Sequence, residues 1–136
     1  MPKSNTTRTD VLAKILQDVD FSWDAVTDLY IALHTADPGA AGTQATSEAT
    51  YGGYARVAIA RTAAGWDVVA NVGSNDDLFQ FPQCASGSNT LTHVSIGIAS
   101  SGATQILASG ALTVSLAVSA PIQPQFAANA LAWTEQ

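Results

Sequence analysis

Large apolar side chains alternate with other residues along the segment 29–34, and the alternation ends in the turn sequence Asp37-Pro38-Gly39. Side chains at every second position of a β-strand point to the same face of the sheet. The segment therefore predicts a strand with one buried face and one outward face. The buried face would carry Leu29, Ile31 and Leu33, and the outward face Tyr30, Ala32 and His34.

The same two-residue period returns in short segments along the rest of the chain, separated by turn sequences. These segments cover residues 54–61, 66–72, 78–81, 91–99, 105–109 and 112–118, with a last strand around Leu131 and Trp133. Short strands at this spacing, without helical crossovers between them, predict an all-β fold, a two-sheet antiparallel sandwich of jelly-roll-like type. Segments 54–61 and 66–72 flank a short turn and predict a hairpin, and residues 40–50 predict a long surface loop.

A helical period occurs only near the start of the chain. We predict one helix there, after a loose arm of residues 1–7, because Val11, Leu12, Ile15, Leu16 and Val19 recur at helical spacing. The apolar stripe of this helix must lie either on the sandwich or on a neighbouring subunit. The chain is therefore divided into an N-terminal arm and helix, residues 1–20, and a β-sandwich domain, residues 21–136.

Charged residues make up only 12% of the chain, half the ~25% typical of soluble domains. A surface of small and uncharged side chains loses little on desolvation, which favours large contacts with other protein subunits. The net charge is −6, so the basic surface typical of nucleic-acid-binding proteins is missing and we expect no direct contact with nucleic acid. No apolar run has the length of a membrane span, and we expect neither a signal peptide nor a membrane partner.

No combination of residues predicts a catalytic, cofactor or metal site, and we expect a protein that is not an enzyme. His34 and His93 have no Cys or acidic neighbour at ligand spacing. The acidic segment 18–28 lacks the glycine and the terminal glutamate of an EF-hand loop. Cys84 stands alone without a neighbouring base, which predicts a buried, unreactive side chain. Sugar binding by the aromatic residues, or a hydrolase, stays a less favoured alternative.

Two arginines lie five positions apart in the predicted strand 54–61. Arg56 and Arg61 would therefore point to opposite faces of the sheet. We expect a surface ion pair for at least one of them, with an acid such as Asp67.

Three segments together resemble a family of small tailed-bacteriophage virion proteins, whose members are described as tail-fibre-like or head-decoration proteins. These are residues 29–39, residues 49–57 with the sequence Tyr51-Gly52-Gly53-Tyr54-Ala55-Arg56, and residues 93–97 with the later Gly110-Ala111-Leu112-Thr113. The resemblance runs from residue 28 to the end and leaves residues 1–20 outside. It implies a structural protein of the virion that is made in the host cytoplasm.

Within this family, a capsid decoration (cement) protein fits the low charge best. Such a protein would bind on the capsid surface, over joints between major capsid protein subunits, and stabilise the head. Its partners would be the major capsid protein and further copies of itself, as a dimer or trimer. The alternative is a tail-fibre or tail-tip module that contacts a host receptor through exposed aromatics around Tyr51 and Tyr54. Candidate interface residues are Lys3, Arg8, Val11, Leu12, Lys14, Ile15, Tyr51, Tyr54 and Arg56.

Overall fold

A computed structural model describes all of residues 1–136 and shows nine strands and one helix. The helix is α1 (Asn5–Gln17). The strands are β1 (Asp28–His34), β2 (Val57–Ala60), β3 (Trp66–Val69), β4 (Val72–Asn75), β5 (Phe79–Gln80), β6 (Ser88–Gly97), β7 (Ile106–Ser119), β8 (Gln125–Phe126) and β9 (Ala132–Thr134).

The strands form three antiparallel sheets that pack together as a sandwich. The largest sheet has the order β2-β1-β6-β7, and the others are β3-β4-β9 and β5-β8. The predicted all-β sandwich with one N-terminal helix is therefore confirmed. The core lies between the sheets and is formed by the apolar face of the large sheet together with aromatic residues of the shorter strands. Its members include Ile31, Leu33, Tyr51, Leu91, Ile96, Phe79, Phe81 and Leu131.

Both faces of β1 are buried, and not only the predicted apolar face. Ala32 and His34 are fully buried because residues 40–49 fold over the second face of the large sheet. Gln44 in this segment is also fully buried, and its Nε2 donates to the carbonyl oxygen of Tyr30 at 2.8 Å. The prediction of an outward face for His34 was therefore wrong. Residues 40–50 do form a long loop, but two of its residues, Gln44 and Ala49, are buried. Polar side chains are buried here because each finds a hydrogen-bond partner.

The predicted hairpin between segments 54–61 and 66–72 was also wrong. β2 pairs with β1, and β3 pairs instead with β4, which follows it after two residues. In the turn between them, Ala70 has a φ of 54°, in the left-handed region. Glycine or asparagine usually marks such a position in a sequence, and alanine does not. Alternation alone could not locate this turn.

The N-terminal arm is attached to the edge of the large sheet. The N–H of Ser109 in β7 donates to the carbonyl oxygen of Pro2 at 3.1 Å, and the N–H of Ser4 donates to that of Leu107 at 3.2 Å. The side chain of Ser4 then caps α1 by accepting from the N–H of Thr7 at 3.2 Å. The predicted loose arm over residues 1–7 was therefore wrong, because backbone pairing and a helix cap hold this segment in place.

Candidate assembly surface

The helix α1 contacts the rest of the chain through its polar side. The hydroxyl of Thr7 donates to the carbonyl oxygen of Ile106 at 3.0 Å. The carboxylate of Asp10 accepts from Nε2 of Gln105 at 2.8 Å and from the indole N–H of Trp23 at 3.4 Å. Since these polar side chains lie against the rest of the chain, the side of the helix that carries Leu12, Ile15 and Leu16 points to solvent.

That apolar side is exposed to solvent as a continuous strip. Leu12, Ile15 and Leu16 of α1 form it together with Val19, which follows the end of the helix after the left-handed Asp18. We refer to these four residues as the α1 stripe; they are between 52% and 75% exposed. Single exposed apolar residues are common on protein surfaces, whereas a contiguous group of large ones marks an interaction site. Of the two placements predicted for the stripe, the structure excludes the one on the chain's own sandwich.

Two of the three N-terminal cations predicted for an interface are paired within the chain. Lys3 forms an ion pair with Glu135. Lys14 Nζ lies 2.7 Å from a carboxylate oxygen of Asp20 and 3.0 Å from one of Asp18. Hydrogen bonds to Asp20 and Asp18 raise the pKa of Lys14, and the bond to Lys14 lowers the pKa of Asp20. These lysines therefore offer little charge to an acidic partner.

Arg8 is the cation that remains available at this surface. Its guanidinium donates only to the side-chain oxygen of Asn5, at 3.2 Å, and the residue is exposed. Arg8 lies four positions before Leu12, on the same face of the helix as the α1 stripe. The surface thus combines an apolar strip with one positive charge at its N-terminal end. Val11, the remaining helical interface candidate, is half-buried beside it.

The two tyrosines predicted at an interface are part of the chain's own interior. Tyr51 is buried and its hydroxyl donates to the carbonyl oxygen of Pro82 at 2.8 Å. The hydroxyl of Tyr54 donates to Glu48 at 3.0 Å and accepts from the N–H of Leu33 at 3.1 Å. Burial raises the pKa of Tyr51 to about 12 and also raises the pKa of Tyr54. The prediction of exposed aromatic contacts here was wrong, because the segment folds against the core.

Arg56 is likewise an internal residue. Its Nε and Nη2 donate to the two carboxylate oxygens of Glu48 at 2.7 Å and 2.9 Å, a bidentate pair. Nη1 donates to the carbonyl oxygen of Ala99 at 2.9 Å and Nη2 to that of Gly102 at 2.7 Å. The interface role predicted for Arg56 was wrong, since this arginine joins three loops of its own chain.

Arg61 forms a second, more open ion pair. Its Nη2 lies 3.4 Å from a carboxylate oxygen of Asp24, and its guanidinium carbon lies 4.9 Å from the centre of the Trp23 ring. The expected ion pair of an arginine in this region exists, but the predicted partner Asp67 was wrong for both arginines.

The two histidines face each other across β1 and β6, where His34 and His93 are register partners. Both ring nitrogens of His34 are engaged, Nδ1 at 2.8 Å from the carbonyl oxygen of Thr46 and Nε2 at 2.7 Å from the hydroxyl of Ser95. Burial lowers the pKa of His34, which keeps the ring neutral. The structure contains no group of three or more His, Cys, Asp or Glu residues that could hold a metal ion.

The last candidate residue is Cys84. Cys84 is buried, as predicted. No helix of this chain has the length and the apolar character that crossing a bilayer requires.

Comparison with known protein families identifies the class of protein. The model of a family described as "Podophage GP4 fiber I protein gp80" matches residues 2–134. The chain belongs to this gp80 family. The predicted resemblance to small tailed-phage virion proteins is confirmed, and this gp80-family chain is a structural protein of the virion. No curated protein matches the chain.

The match extends over α1, which lies outside the segments that carried the sequence resemblance. The surface described above therefore lies within the residues that match the gp80 family. Leu16 and Val19 were missed as interface candidates, although both belong to the periodic pattern that predicted the helix. Their exposure could have been predicted only by knowing which side of α1 binds the sandwich.

Proposed function

We propose that this gp80-family chain is a structural subunit of a phage fibre, without enzymatic activity, that joins its neighbours through the α1 stripe. The observation that carries the proposal is the orientation of α1, whose hydrogen-bonding side is used within the chain while its apolar side is left free. The description of the family as a fiber protein supports a fibre as the location.

The magnitude of the apolar effect supports an assembly role. Complete burial of one Leu, Ile or Val side chain is worth about 1.5–3 kcal/mol. The four stripe residues are 52% to 75% exposed, so burial of only these exposed fractions would contribute about 5 kcal/mol of binding free energy for each copy. Because association costs at least about 4 kcal/mol, the α1 stripe supplies enough for weak contacts and needs a second surface for stable assembly.

A structural role also agrees with how the chain uses its polar residues. Two of the three candidates for chemistry, His34 and Cys84, are buried, and the ring nitrogens of His34 are occupied by Thr46 and Ser95. The third, His93, is half-buried. Burial of Tyr51 and of the Tyr54 ring removes the aromatic receptor contact expected for a tail-tip module. We therefore assign the chain to the body of a fibre and not to its receptor-binding tip.

Capsid decoration, the role expected from the sequence, would also require an exposed contact surface. The two roles differ in location and in copy number, so we propose to label purified virions with gold-conjugated antibody against this chain. Mass spectrometry of the same particles would give its copies relative to the major capsid protein. Label on fibres at low copy number supports the proposal. Label over the head at a copy number close to that of the major capsid protein, or absence from virions, would overturn it.

Two matched variants test whether the α1 stripe mediates incorporation. Leu16→Asp places a charge in the stripe, and Val114→Asp places the same charge on β7, where Val114 is 76% exposed. Each variant would be supplied in trans to phage that lack a functional copy of the gene. We expect virions to incorporate the Val114 variant and to lack the Leu16 variant. Equal incorporation of the two variants would show that the α1 stripe does not mediate incorporation.

A further inference from the structure

The two ends of the α1 stripe differ in charge. At the N-terminal end, Arg8 is exposed, donates a hydrogen bond only to the Asn5 side chain and forms no ion pair within the chain. Glu135 borders the same pocket as Arg8, but its ion pair is with Lys3. The guanidinium of Arg8 therefore places a positive charge without a carboxylate partner at this end of the stripe.

The C-terminal end of the stripe carries the opposite charge. Asp18 and Asp20 follow α1 and share the single ammonium group of Lys14. Two carboxylates against one ammonium group leave this end with a net negative charge. Both aspartates can take part in a further contact, because their side chains are 93% and 75% exposed.

The two charged ends do not meet within one chain. Arg8 and the C-cap Asp18 are ten positions apart, which corresponds to about 15 Å along a helix axis. Both lie on the same flank of the stripe, because Arg8, Ile15 and Asp18 stand at positions i, i+7 and i+10 of the helical period. An oppositely charged partner for each end therefore has to come from a second molecule.

A second copy of α1 that runs in the opposite direction supplies both partners at once. A two-fold axis perpendicular to α1 reverses the direction of the helix and brings the same flank of the two copies together. When this axis crosses α1 near residue 14, Leu12 of each copy lies opposite Leu16 of the other. The same axis places Arg8 of each copy opposite the acidic segment 18–20 of the other. The apolar contact and two ion pairs therefore form in a single arrangement.

We propose that two copies of the chain pair through their α1 stripes, with the two helices antiparallel. The proposal rests on the proposed fibre role and deepens it by naming the partner of the stripe. Antiparallel pairing also brings opposite ends of the two helix dipoles together, whereas parallel pairing would bring like ends together. Because a two-fold contact uses the same surface on both copies, it closes after two copies. A fibre built from such pairs then extends through another surface.

Sedimentation velocity of the full chain over a range of protein concentrations tests the pairing. The wild-type chain should form a dimer, and Leu16→Asp should dimerise about a hundredfold more weakly, because each dimer buries two copies of this leucine. Val114→Asp is the matched control, since it adds the same charge at an exposed apolar residue of β7, and it should dimerise like the wild type. Far-UV circular dichroism checks that each variant is folded, and Ile15→Asp replaces a Leu16 variant that is not.

Charge reversal tests the antiparallel direction. Arg8→Glu should weaken dimerisation about tenfold, because both ends of each stripe then carry negative charge. Adding Asp20→Lys to the Arg8→Glu chain again brings opposite charges together in an antiparallel pair, so the double variant should dimerise within about threefold of the wild type. Asp20 is chosen for the second change because the left-handed backbone of Asp18 disfavours lysine.

Three results would overturn the proposal. A wild-type chain that is monomeric at all concentrations, or a Leu16 variant that dimerises like the wild type, would exclude pairing through the stripe. A double variant that dimerises no better than Arg8→Glu alone would exclude the antiparallel direction, since like ends meet in a parallel pair and the second change cannot restore it.

The outcome is separable from that of the proposed function. A chain that is found in fibres of the virion but stays monomeric in solution keeps its fibre role and loses this contact. A chain that dimerises and shows the charge rescue but is absent from virions keeps the contact and loses the fibre role.

Discussion

Replacement of Arg56 by methionine should remove much of the chain's stability, although the side chain is remote from the α1 stripe. The Arg56 side chain is only 1% exposed and makes four short hydrogen bonds, two of them to Glu48. Methionine keeps a side chain of similar length but removes both guanidinium donors from the Glu48 carboxylate, which keeps only the hydroxyl of Tyr54, and leaves the carbonyl oxygen of Ala99 without its donor. Removing one partner of a buried ion pair typically costs about 3–5 kcal/mol.

This loss is large in comparison with the whole free energy of unfolding, which for a domain is about 5–15 kcal/mol. At about 3 °C per kcal/mol for a chain of this size, Arg56→Met should lower the melting temperature by about 10–15 °C. The assay is thermal unfolding by circular dichroism, supported by urea denaturation at constant temperature.

Arg61→Met provides the matched control, because Arg61 also forms an ion pair and lies only five positions away. Its side chain is 31% exposed, its contact with Asp24 is 3.4 Å long, and it stacks on Trp23. A surface ion pair and a cation–π contact of this kind are worth about 1 kcal/mol together. If the two variants unfold at melting temperatures within a few degrees of each other, the assigned importance of the buried pair is refuted.

Three further predictions concern residues that pack around β1 and β6. Gly97→Ala should destabilise the chain by about 1–3 kcal/mol in urea denaturation, because a Cβ there would collide with the Gln44 side chain; unchanged stability would contradict this close contact. Tyr54→Phe should cost about 1–3 kcal/mol in the same assay, since it leaves the buried N–H of Leu33 without its acceptor; a neutral effect would mean that this N–H finds another partner. The pKa of His34 is lowered by burial from its ordinary 6.5, so the unfolded chain binds a proton that the folded chain does not. The unfolding free energy should therefore fall as the pH drops from about 7.5 to about 5.5, and the fall should shrink in His34→Gln.

The apolar half of the fold could be predicted from the sequence because it follows a simple period. In β1, Leu29, Ile31 and Leu33 alternate and do face the core. The buried polar residues on the other face of the large sheet follow no period within a single strand. Whether His34 faces solvent or interior depends on Gln44 and Thr46, which come from a segment of small polar residues that reads as a surface loop. Burial of polar residues depends on partners that are distant in sequence, and alternation contains no information about them.

The assembly surface could be predicted only in part, for a related reason. Periodicity located the helix and most of its apolar side, including Leu12 and Ile15. It could not indicate which side binds the sandwich, because that is decided by a hydrogen bond that Thr7 donates and one that Asp10 accepts, both with partners about a hundred positions away. The usual rule that an amphipathic helix buries its apolar side against its own domain favours the opposite orientation.

The polar attachment of α1 has a consequence for assembly. Ser4 caps the helix, and Thr7 and Asp10 fix it to the sandwich, so the stripe holds its geometry before any partner arrives. A helix that was disordered until it bound would lose part of its binding free energy to ordering, whereas a preformed helix does not. The four apolar side chains can therefore act at nearly their full strength. A preformed helix matters most for the binding free energy of a subunit with a small contact area and only 12% charged residues. Few other groups on the surface of such a subunit can strengthen the contact.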